Sequence, residues 1–441
     1  MSRIAEIAAA LAGYDPKALS VEGVQHFVEQ LVAPAVPAMQ QQREDAPLRD
    51  ALGRVLADDV VSPFSVPPHD NSAMDGFAFN GAVLDGATGD VPLRIVGTAL
   101  AGAAWRGDVR PGEALRIMTG AVMPAGLDTV VPQEFCAVDG DALRFPASAL
   151  RRGDNRRFAG EDLMAGSAAL RAGDRLGPAA LGLAASLGLA TLPVLRRLRV
   201  AYFSTGDEIL SLGDAPREGA VYDSNRYTVF GLLTRLGCEV VDLGLVRDDP
   251  ATLEATLRRA AREADAIITS GGVSVGQADH TRAVMQRLGD MAFWRIAMRP
   301  GRPMAVGLIP RGDRAQASAE DNAVLFGLPG NPVAVMVTFL AFVRPALLQL
   351  MGCHAEARRP PPLLRATSAT AIRKKPGRTE YQRGFVRAVP GALPEVRIAG
   401  NQGSGVLSSM VEANGLVVLH HAQGSVEAGE AVDVMMFDGV I

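Results

Sequence analysis

The sequence predicts a multidomain protein that combines the α/β and β classes, because its texture changes several times along the chain. Strands and helices alternate over residues 198–352, which is typical of a parallel sheet with crossover helices. Short β-prone runs broken by Gly and Pro fill residues 63–158, and short strands with turns fill residues 360–441. We therefore expect a central three-layer α/β domain with a mostly parallel sheet, a β-rich second domain and a small C-terminal β barrel.

The helical parts of the chain predict one further, discontinuous domain. The segment VEGVQHFVEQLV has the apolar spacing of one helical face. An Ala- and Leu-rich stretch follows the β-rich part, and we expect it to pack with the N-terminal helices. The expected domains are 1–54 with 160–196 (helical), 55–159 (β-rich), 197–352 (α/β) and 360–441 (barrel).

The composition indicates a globular protein that works on small molecules. The chain has 441 residues, 48% of them hydrophobic, and a formal net charge of −4. This charge gives no reason to expect nucleic acid or a polybasic membrane surface as partner. The three cysteines lie far apart without metal-ligand spacing, so neither a zinc site nor a disulfide framework is expected.

One uncharged stretch, residues 176–195, is long enough to cross a membrane. Pro178 suits a first helical turn, Gly188 suits a helix end, and residues 191–195 suit a short strand. We therefore expect a small buried helix and a strand, in a soluble cytoplasmic protein without a membrane partner.

Polar loops follow three successive strands of the predicted sheet, and ligands of such sheets bind beyond these strand ends. The loops begin STGDE (204–208), RDD (247–249) and SGGVSVGQAD (270–279). Gly271 and Gly272 allow consecutive backbone N–H groups to converge on an anion, with help from the Ser270 and Ser274 hydroxyls. The alternative is that the two glycines form only a tight turn.

The same loops carry the carboxylates Glu208, Asp248 and Asp279. Carboxylates in a phosphate-binding cleft would repel the ligand unless a magnesium ion bridged them to phosphate oxygens. These three residues are therefore the predicted metal ligands. Taken singly, each of them could equally be a helix cap or a solvated turn residue.

Two further turns suggest anion contacts. In RPGRP (299–303) the Pro-Gly pair could present Arg299 and Arg302 side by side to a tetrahedral oxyanion. LPGNP (328–332) leads into a helix whose N-terminus could favour an anion. The alternative is two surface arginines beside a structural turn.

With these residues identified, the chain resembles the MoeA and gephyrin E-domain family of molybdopterin molybdenumtransferases over about residues 20–441. The similarity rests on many motifs in the family order. They are GRVLADDVVSP, PPHDNSAMDGFA, RIMTGAVMP, RRFAGEDLMAG, STGDEIL, YDSNR, LVRDDP, SGGVSVGQAD, RPGRP, GLPGNPVA, RTEYQRGF and GSGVLSSMVEANG.

The resemblance implies an elongated homodimer of four-domain chains that inserts molybdenum from molybdate into adenylylated molybdopterin and releases AMP. It implies a divalent cation, Mg²⁺, and a site completed by loops of the β-rich domain, in one reading from the partner subunit. A molybdopterin adenylyltransferase and acceptor molybdoenzymes are further expected partners. The family's functional positions fall on Asp75, Thr119, Asp162, Glu208, Asp248, Asp279, Pro329 and Pro332. In this scheme SGGVSVGQAD holds a phosphate of the pterin nucleotide.

The chain departs from the family pattern at the expected oxyanion contacts. Arg295, Arg299 and Arg302 stand where lysines are common, Ala334 stands where serine is frequent, and His69 stands where Phe is usual. The charge is retained, but the reach and the geometry differ. Two rival functions stay open: a related nucleotide-processing or adenylyltransferase enzyme, and a non-catalytic scaffold.

Overall fold

The computed structural model describes residues 2–272, 279–312 and 321–440, and of Asp279 only the backbone. Ser274 lies outside the described residues. The chain divides into two compact units. The first unit is Met1–Ala57, Gly173–Pro178 and Thr191–Ile441, and the second is Asp58–Ala172 and Ala179–Ala190. The four-domain division stays a prediction.

The first unit begins with three helices, and apolar spacing in the sequence predicted the second of them. They are α1 (Arg3–Ala10), α2 (Val21–Val32) and α3 (Val36–Gln40), and strand β1 (Arg43–Pro47) follows them. The Ser20 hydroxyl accepts the Gly23 N–H at 3.0 Å and so caps α2. The predicted apolar face of α2 is buried, since Val24 and Phe27 have no exposed surface.

The second unit is rich in β structure, as expected. Its strands are β2 (Val60–Val61), β3 (Asn71–Ser72), β4 (Gly76–Phe79), β5 (Asp90–Ala99), β6 (Glu113–Ile117), β7 (Thr129–Pro132), β8 (Ala137–Asp139), β9 (Ala142–Pro146), β10 (Arg156–Arg157) and β11 (Ala168–Leu170). A six-stranded sheet runs in the order β7-β4-β6-β5-β9-β8. Its neighbours are antiparallel except for the parallel pair β5–β6.

The uncharged stretch at residues 176–195 forms a helix and a strand, as predicted. These are α4 (Pro178–Ser186) and β12 (Thr191–Leu195). The prediction that the helix is buried was wrong, because Ala184 is its only buried residue and most of its small Ala and Gly residues lie at the surface. Strand β12 pairs antiparallel with β1, so its backbone groups are satisfied inside the protein.

A mixed six-stranded sheet forms the centre of the first unit, in the order β16-β13-β17-β21-β20-β18. Its strands are β13 (Arg199–Thr205), β16 (Glu239–Val246), β17 (Ala266–Ser270), β18 (Asp290–Arg295), β20 (Pro303–Pro310) and β21 (Asn322–Leu328), and the short strands β14 (Ile209–Leu210), β15 (Val221–Tyr222) and β19 (Met298–Arg299) lie outside it. The first four strands in this order are mutually parallel, and β20 is antiparallel to both of its neighbours, β21 and β18.

Helices cover both faces of this sheet and give the predicted three layers. They are α5 (Ser224–Leu236), α6 (Pro250–Glu263), α7 (Asp279–Leu288), α8 (Pro332–Thr338) and α9 (Arg344–Leu350). Side chains alternate across a strand, so Val200 and Tyr202 join the core that includes α5 and α8 residues. Ala201 and Phe203 join the core that includes α6 residues.

One helix among the described residues, Pro332–Leu350, is long and apolar enough to span a membrane, but 89% of its apolar window is buried inside the protein. It therefore serves here as a core helix. A π-helical turn (Phe339–Val343) joins α8 to α9 within it. Pro345 has no N–H for the Ala341 carbonyl, and the Gln25 side-chain amide donates to that carbonyl at 3.1 Å instead.

A closed five-stranded barrel forms the C-terminal region, as expected. Helix α10 (Ala355–Arg358) precedes β22 (Leu364–Ser368), β23 (Thr379–Arg387), β24 (Glu395–Ile398), α11 (Ser408–Glu412), β25 (Gly415–Leu419) and β26 (Ala431–Met436). The order β23-β24-β22-β26-β25 closes through the pairing of β25 with β23. Strand β19 pairs in parallel with β23, which ties the RPGRP turn to the barrel.

Candidate functional site

A cavity of about 430 Å³ opens at the carboxyl ends of the parallel strands β13 and β17. This is the place where ligands bind to such sheets. Its lining residues are Ser204, Thr205, Glu208, Ile209, Val221, Tyr222, Asp223, Ser224, Asn225, Ser270, Gly271, Gly330, Asn331, Pro332 and Gly405. The structure thus brings together Glu208, Ser270, Gly271 and Pro332 of the sequence-predicted set.

Three hydroxyl groups are clustered at the carboxyl ends of β13 and β17, beneath the cavity. The Tyr202 hydroxyl is hydrogen bonded to Ser204 Oγ at 2.8 Å and to Ser270 Oγ at 2.6 Å. Burial raises the pKa of the Tyr202 phenol well above its ordinary range, so the phenol stays neutral. Ser204 and Ser270 also line the cavity, where their hydroxyls can serve a polar ligand.

The glycine turn after β17 is required sterically. Gly271 has φ +90°, and a Cβ there would lie 2.2 Å from the Thr205 carbonyl oxygen. The Gly271 N–H donates to the Leu328 carbonyl at 3.3 Å, so this amide is not free for an anion. Gly272 has φ +67° and packs against Thr281. The anion-binding prediction for this turn therefore depends on Ser270 rather than on the Gly271 amide.

The predicted metal ligands are described only in part. Glu208 is exposed and lines the cavity, and Asp248 accepts a hydrogen bond from the Thr205 hydroxyl. Asp279 is the first residue of α7, and its side chain is outside the description. The described residues contain no group of three or more His, Cys, Asp or Glu that could hold a metal. The magnesium site stays a prediction.

Two cavity residues that the sequence analysis did not select carry unpaired oxygens. Asp223 is 5% exposed, and its Oδ1 accepts the Arg226 N–H at 3.0 Å and caps α5. Its Oδ2 is buried and has no partner within the described residues. Asn225 donates through Nδ2 to the Gly330 carbonyl at 2.7 Å, while its Oδ1 is buried and has no partner in the part of the chain that the structure describes.

Buried polar atoms without partners are rare and call for an explanation. Since both oxygens belong to residues that line the cavity, a ligand or a cation is the natural partner. The sequence signal was YDSNR, in which an Asp precedes a helix. A capping aspartate is common, so only the burial of Asp223 distinguishes it.

The LPGNP turn reaches the cavity, but the helix start that follows it is largely occupied. Pro332 begins α8 and has no N–H, and the Val333 N–H donates to the Ser404 carbonyl at 3.1 Å. Pro329 is buried and does not line the cavity. The first two residues of α8 therefore have no free N–H group to offer the predicted anion.

A loop of the barrel region closes one side of the cavity. Arg383 is only 1% exposed, and it donates through Nη2 to the Asn401 and Gly403 carbonyls at 3.0 and 2.9 Å and through Nε to Ser409 Oγ at 2.9 Å. Burial, followed by the charge of Arg299, lowers the pKa of this guanidinium. We call residues 401–405 the Gly-Ser-Gly loop, and its Gly405 lines the cavity.

The Gly-Ser-Gly loop points its carbonyls at Arg383 and at α8. The backbone N–H groups of Ser404 and Gly405 make no hydrogen bond within the described part of the chain. Such amides can donate hydrogen bonds to an anion in the cavity. The sequence analysis quoted GSGVLSSMVEANG and RTEYQRGF only as family motifs and assigned no anion contact to them; the Gly-Ser-Gly tripeptide was the available signal.

The three arginines that were predicted to contact the oxyanion are exposed and do not line the cavity. Arg295 ends β18, Arg299 ends β19 and Arg302 follows them. Their side chains have no described ion pair or hydrogen bond. The turn itself packs closely on α8, because a Cβ on Gly301 would lie 2.5 Å from Thr338 Cγ2.

In the second unit, the structure brings Asp75 and Thr119 together. The Thr119 N–H and hydroxyl both donate to Asp75 Oδ1 at 2.7 Å. These bonds, the backbone one first, hold the pKa of Asp75 below its ordinary value and keep it ionised. Asp162 is exposed, and its N–H donates to the Val66 carbonyl at 3.0 Å, without a described contact to that pair.

Three family models match consecutive parts of the chain. The model for the MoeA N-terminal region (domain I and II) matches residues 19–188, and that for the probable molybdopterin binding domain matches residues 201–349. The model for the MoeA C-terminal region (domain IV) matches residues 365–437. The matches therefore extend over nearly the whole chain.

Curated relatives and solved structures agree with these matches. A molybdopterin molybdenumtransferase of Haemophilus influenzae is 39% identical over 400 residues, 91% of this chain and 95% of that protein. One of Bacillus subtilis is 32% identical over 404 residues, 90% of each chain. The crystal structure of a molybdopterin biosynthesis MoeA protein from Pyrococcus horikoshii has a TM-score of 0.76 and 25% identity, and covers 95% of this chain and 100% of its own.

Proposed function

The chain belongs to the MoeA family and serves molybdenum cofactor biosynthesis as a molybdopterin molybdenumtransferase, and on this premise we propose how its cavity performs the transfer. In that reaction molybdenum passes from molybdate to adenylylated molybdopterin and AMP is released. The matched N- and C-terminal regions favour this function over a single-domain adenylyltransferase. No described feature favours a purely scaffolding role.

The observation that carries the proposal is the combination of free donors and free acceptors around one cavity. Its 430 Å³ are within the usual range for small-molecule sites. The serine hydroxyls and the free amides of the Gly-Ser-Gly loop can donate to phosphate oxygens. The unpaired oxygens of Asp223 and Asn225 can accept from substrate N–H or O–H groups.

Cleavage of the phosphoanhydride requires charge neutralisation and in-line positioning more than covalent help from the protein. The oxygen donors at the cavity suit a hard cation, and Mg²⁺ commonly takes one or two carboxylates together with substrate phosphates. Glu208, Asp248 and Asp279 would hold Mg²⁺, which neutralises phosphate charge when bound. The free Asp223 Oδ2 is an additional donor for the same ion.

The positive charge of the RPGRP turn would attract molybdate, the second substrate. Arg299 and Arg302 are exposed cations on a turn that packs against α8, and α8 begins at the cavity residue Pro332. We expect Arg302→Ala to raise the molybdate concentration for half-maximal AMP release, while AMP binding changes less than twofold. Equal weakening of molybdate and AMP binding would place this arginine on the nucleotide instead.

Asp75 and Thr119 supply a preorganised carboxylate in the second unit, and we propose that it acts in a homodimer at the cavity of the partner chain. An exposed ionised carboxylate already oriented by two hydrogen bonds is suited to such a role. Mixing Asp75→Ala chains with Glu208→Ala chains should then restore part of the activity in heterodimers. Verified heterodimers that stay inactive would favour a site within one chain.

A cytoplasmic location and supply of substrate by a molybdopterin adenylyltransferase fit the proposed transfer of molybdenum.

The test of the proposed function is AMP release from adenylylated molybdopterin in the presence of molybdate and Mg²⁺. Glu208→Gln removes the cavity carboxylate while keeping the size of the side chain, and it should reduce turnover about a hundredfold, which corresponds to about 2.7 kcal/mol of transition-state stabilisation. Glu218→Gln is the matched control, since Glu218 is exposed on the same loop and does not line the cavity. A Glu208→Gln enzyme as active as the control would contradict the proposal.

A further inference from the structure

The lining of the cavity is divided by chemistry between different segments of the chain. Apart from Pro332, the large apolar lining side chains are Ile209, Val221 and Tyr222, and these come from one segment, residues 206–222, which we call the flap. Polar residues at the strand ends, the start of α5 and the LPGNP turn supply most of the rest. A ligand that fits this lining has one apolar, ring-like end and one strongly polar end.

The flap is held in shape by its own hydrogen bonds. Ile209 and Val221 are partners in the short parallel pair of β14 and β15, and the Val221 N–H donates to the Glu208 carbonyl at 2.9 Å. Glu208 and Tyr222 are therefore fixed on the same small scaffold. The hydroxyl of Tyr222 donates to the Asp214 carbonyl at 2.8 Å, which fixes the far edge of the ring.

Tyr222 remains 44% exposed although it lines the cavity. Val221 beside it is 58% exposed. A tyrosine whose polar end is satisfied within the flap has its ring face as its remaining contact surface. Such a ring, held in place before the ligand arrives, costs little entropy when it packs against a planar group.

We infer that the flap residues Ile209, Val221 and Tyr222 form the wall that receives a planar, fused nitrogen heterocycle of the substrate. The inference rests on the proposed function and names the part of the substrate that this wall recognises. The phosphates then point to the serine hydroxyls and the Gly-Ser-Gly loop at the polar end. Adenine and the pterin share the required chemistry, and the experiment below separates them.

The test measures binding of ring-bearing and ringless probes by titration calorimetry in the presence of Mg²⁺. AMP carries the adenine ring, ribose 5-phosphate lacks it, and 6-carboxypterin carries the pterin ring without a nucleotide. Stacking of a base on an aromatic side chain is lost in a Tyr222→Ala variant, and we expect AMP or the pterin to bind about tenfold more weakly. Ribose 5-phosphate should change less than about twofold.

Three variants make the result specific to the ring. Tyr222→Phe retains the ring and loses only the bond to Asp214, so it should bind within about twofold of the wild type. Tyr222→Leu retains apolar bulk without a π face and should resemble Tyr222→Ala. Tyr227→Ala is the matched control, because Tyr227 is 49% exposed on α5 but does not line the cavity, and it should bind like the wild type.

Loss of affinity for AMP alone assigns the wall to adenine, and loss for the pterin alone assigns it to the pterin; either result supports the inference. Unchanged binding of both rings to Tyr222→Ala, or equal loss for ribose 5-phosphate, overturns it. If the wild type releases AMP from adenylylated molybdopterin and these variants bind normally, only this inference fails. If the wild type neither binds these probes nor turns over, the proposed function fails with it.

Discussion

Replacing Asp223 by Asn should separate the stability of the protein from its activity. The carboxylate is 95% buried at the cavity, and its Oδ2 lacks a partner within the described residues. A buried polar group without a hydrogen bond costs about 1–3 kcal/mol of folding free energy, and more when it is charged. Asn retains the Oδ1 that caps α5 but removes the charge. The ligand-free variant should therefore unfold at the same free energy as the wild type, or at one up to about 1 kcal/mol higher.

The same substitution removes an acceptor intended for substrate or metal, so AMP release should fall about a hundredfold, which corresponds to about 2.7 kcal/mol of transition-state stabilisation. Urea unfolding of the ligand-free protein and single-turnover AMP release are the two assays. Asp249→Asn is the matched control: Asp249 caps α6 through the Thr252 N–H at 2.8 Å, is exposed and does not line the cavity. Its activity should stay unchanged. An Asp223→Asn enzyme that is active but at least 2 kcal/mol less stable would refute the reasoning.

Three further substitutions test the geometry around the cavity and in the second unit. Thr119→Val removes one of the two hydrogen bonds to Asp75, so the pKa of that carboxyl should rise part of the way to its ordinary value in a carbon-13 NMR titration. The stability that the two bonds supply is present above the ordinary aspartate pKa, and it is lost as the pH falls through the lowered pKa of the folded protein. Arg383→Lys cannot satisfy all three acceptors of the guanidinium, and it should lower stability by about 2–4 kcal/mol and speed hydrogen exchange in the Gly-Ser-Gly loop; unaltered exchange would argue against this anchoring role. Gly271→Ala combines a left-handed backbone with a clash and should cost about 3 kcal/mol in urea unfolding, whereas Gly213→Ala, with φ +96° and open space around it, should cost about 1 kcal/mol.

Much of the fold follows from local patterns that do not depend on distant residues. The face of α2 is visible as apolar spacing, and the uncharged stretch at 176–195 is broken by Pro178 and Gly188 as the structure has it. The strand ends that carry Ser270 and Glu208 were also predictable, because parallel strands place their carboxyl ends at one edge. These features depend on the sequence within a few residues of each position.

Other parts of the site depend on contacts between distant segments. The Gly271 N–H donates to the carbonyl of Leu328, and the Val333 N–H at the start of α8 donates to the Ser404 carbonyl of the barrel region. No local pattern in the SGGV or LPGNP motifs reveals these partners. The unpaired Asp223 oxygen is equally invisible, since its significance comes from its burial beside the cavity.

The central claim is that this chain couples insertion of molybdenum to release of AMP. The most direct measurement is the ratio of AMP released to molybdenum bound to the pterin, in a single turnover of purified protein with adenylylated molybdopterin, Mg²⁺ and molybdate. We predict a ratio of about one, with AMP release that depends on molybdate and falls about a hundredfold in Glu208→Gln, since charge at the cleaved phosphoanhydride is then less well neutralised. AMP release at the same rate without molybdate, or AMP without molybdenum on the pterin, would contradict it.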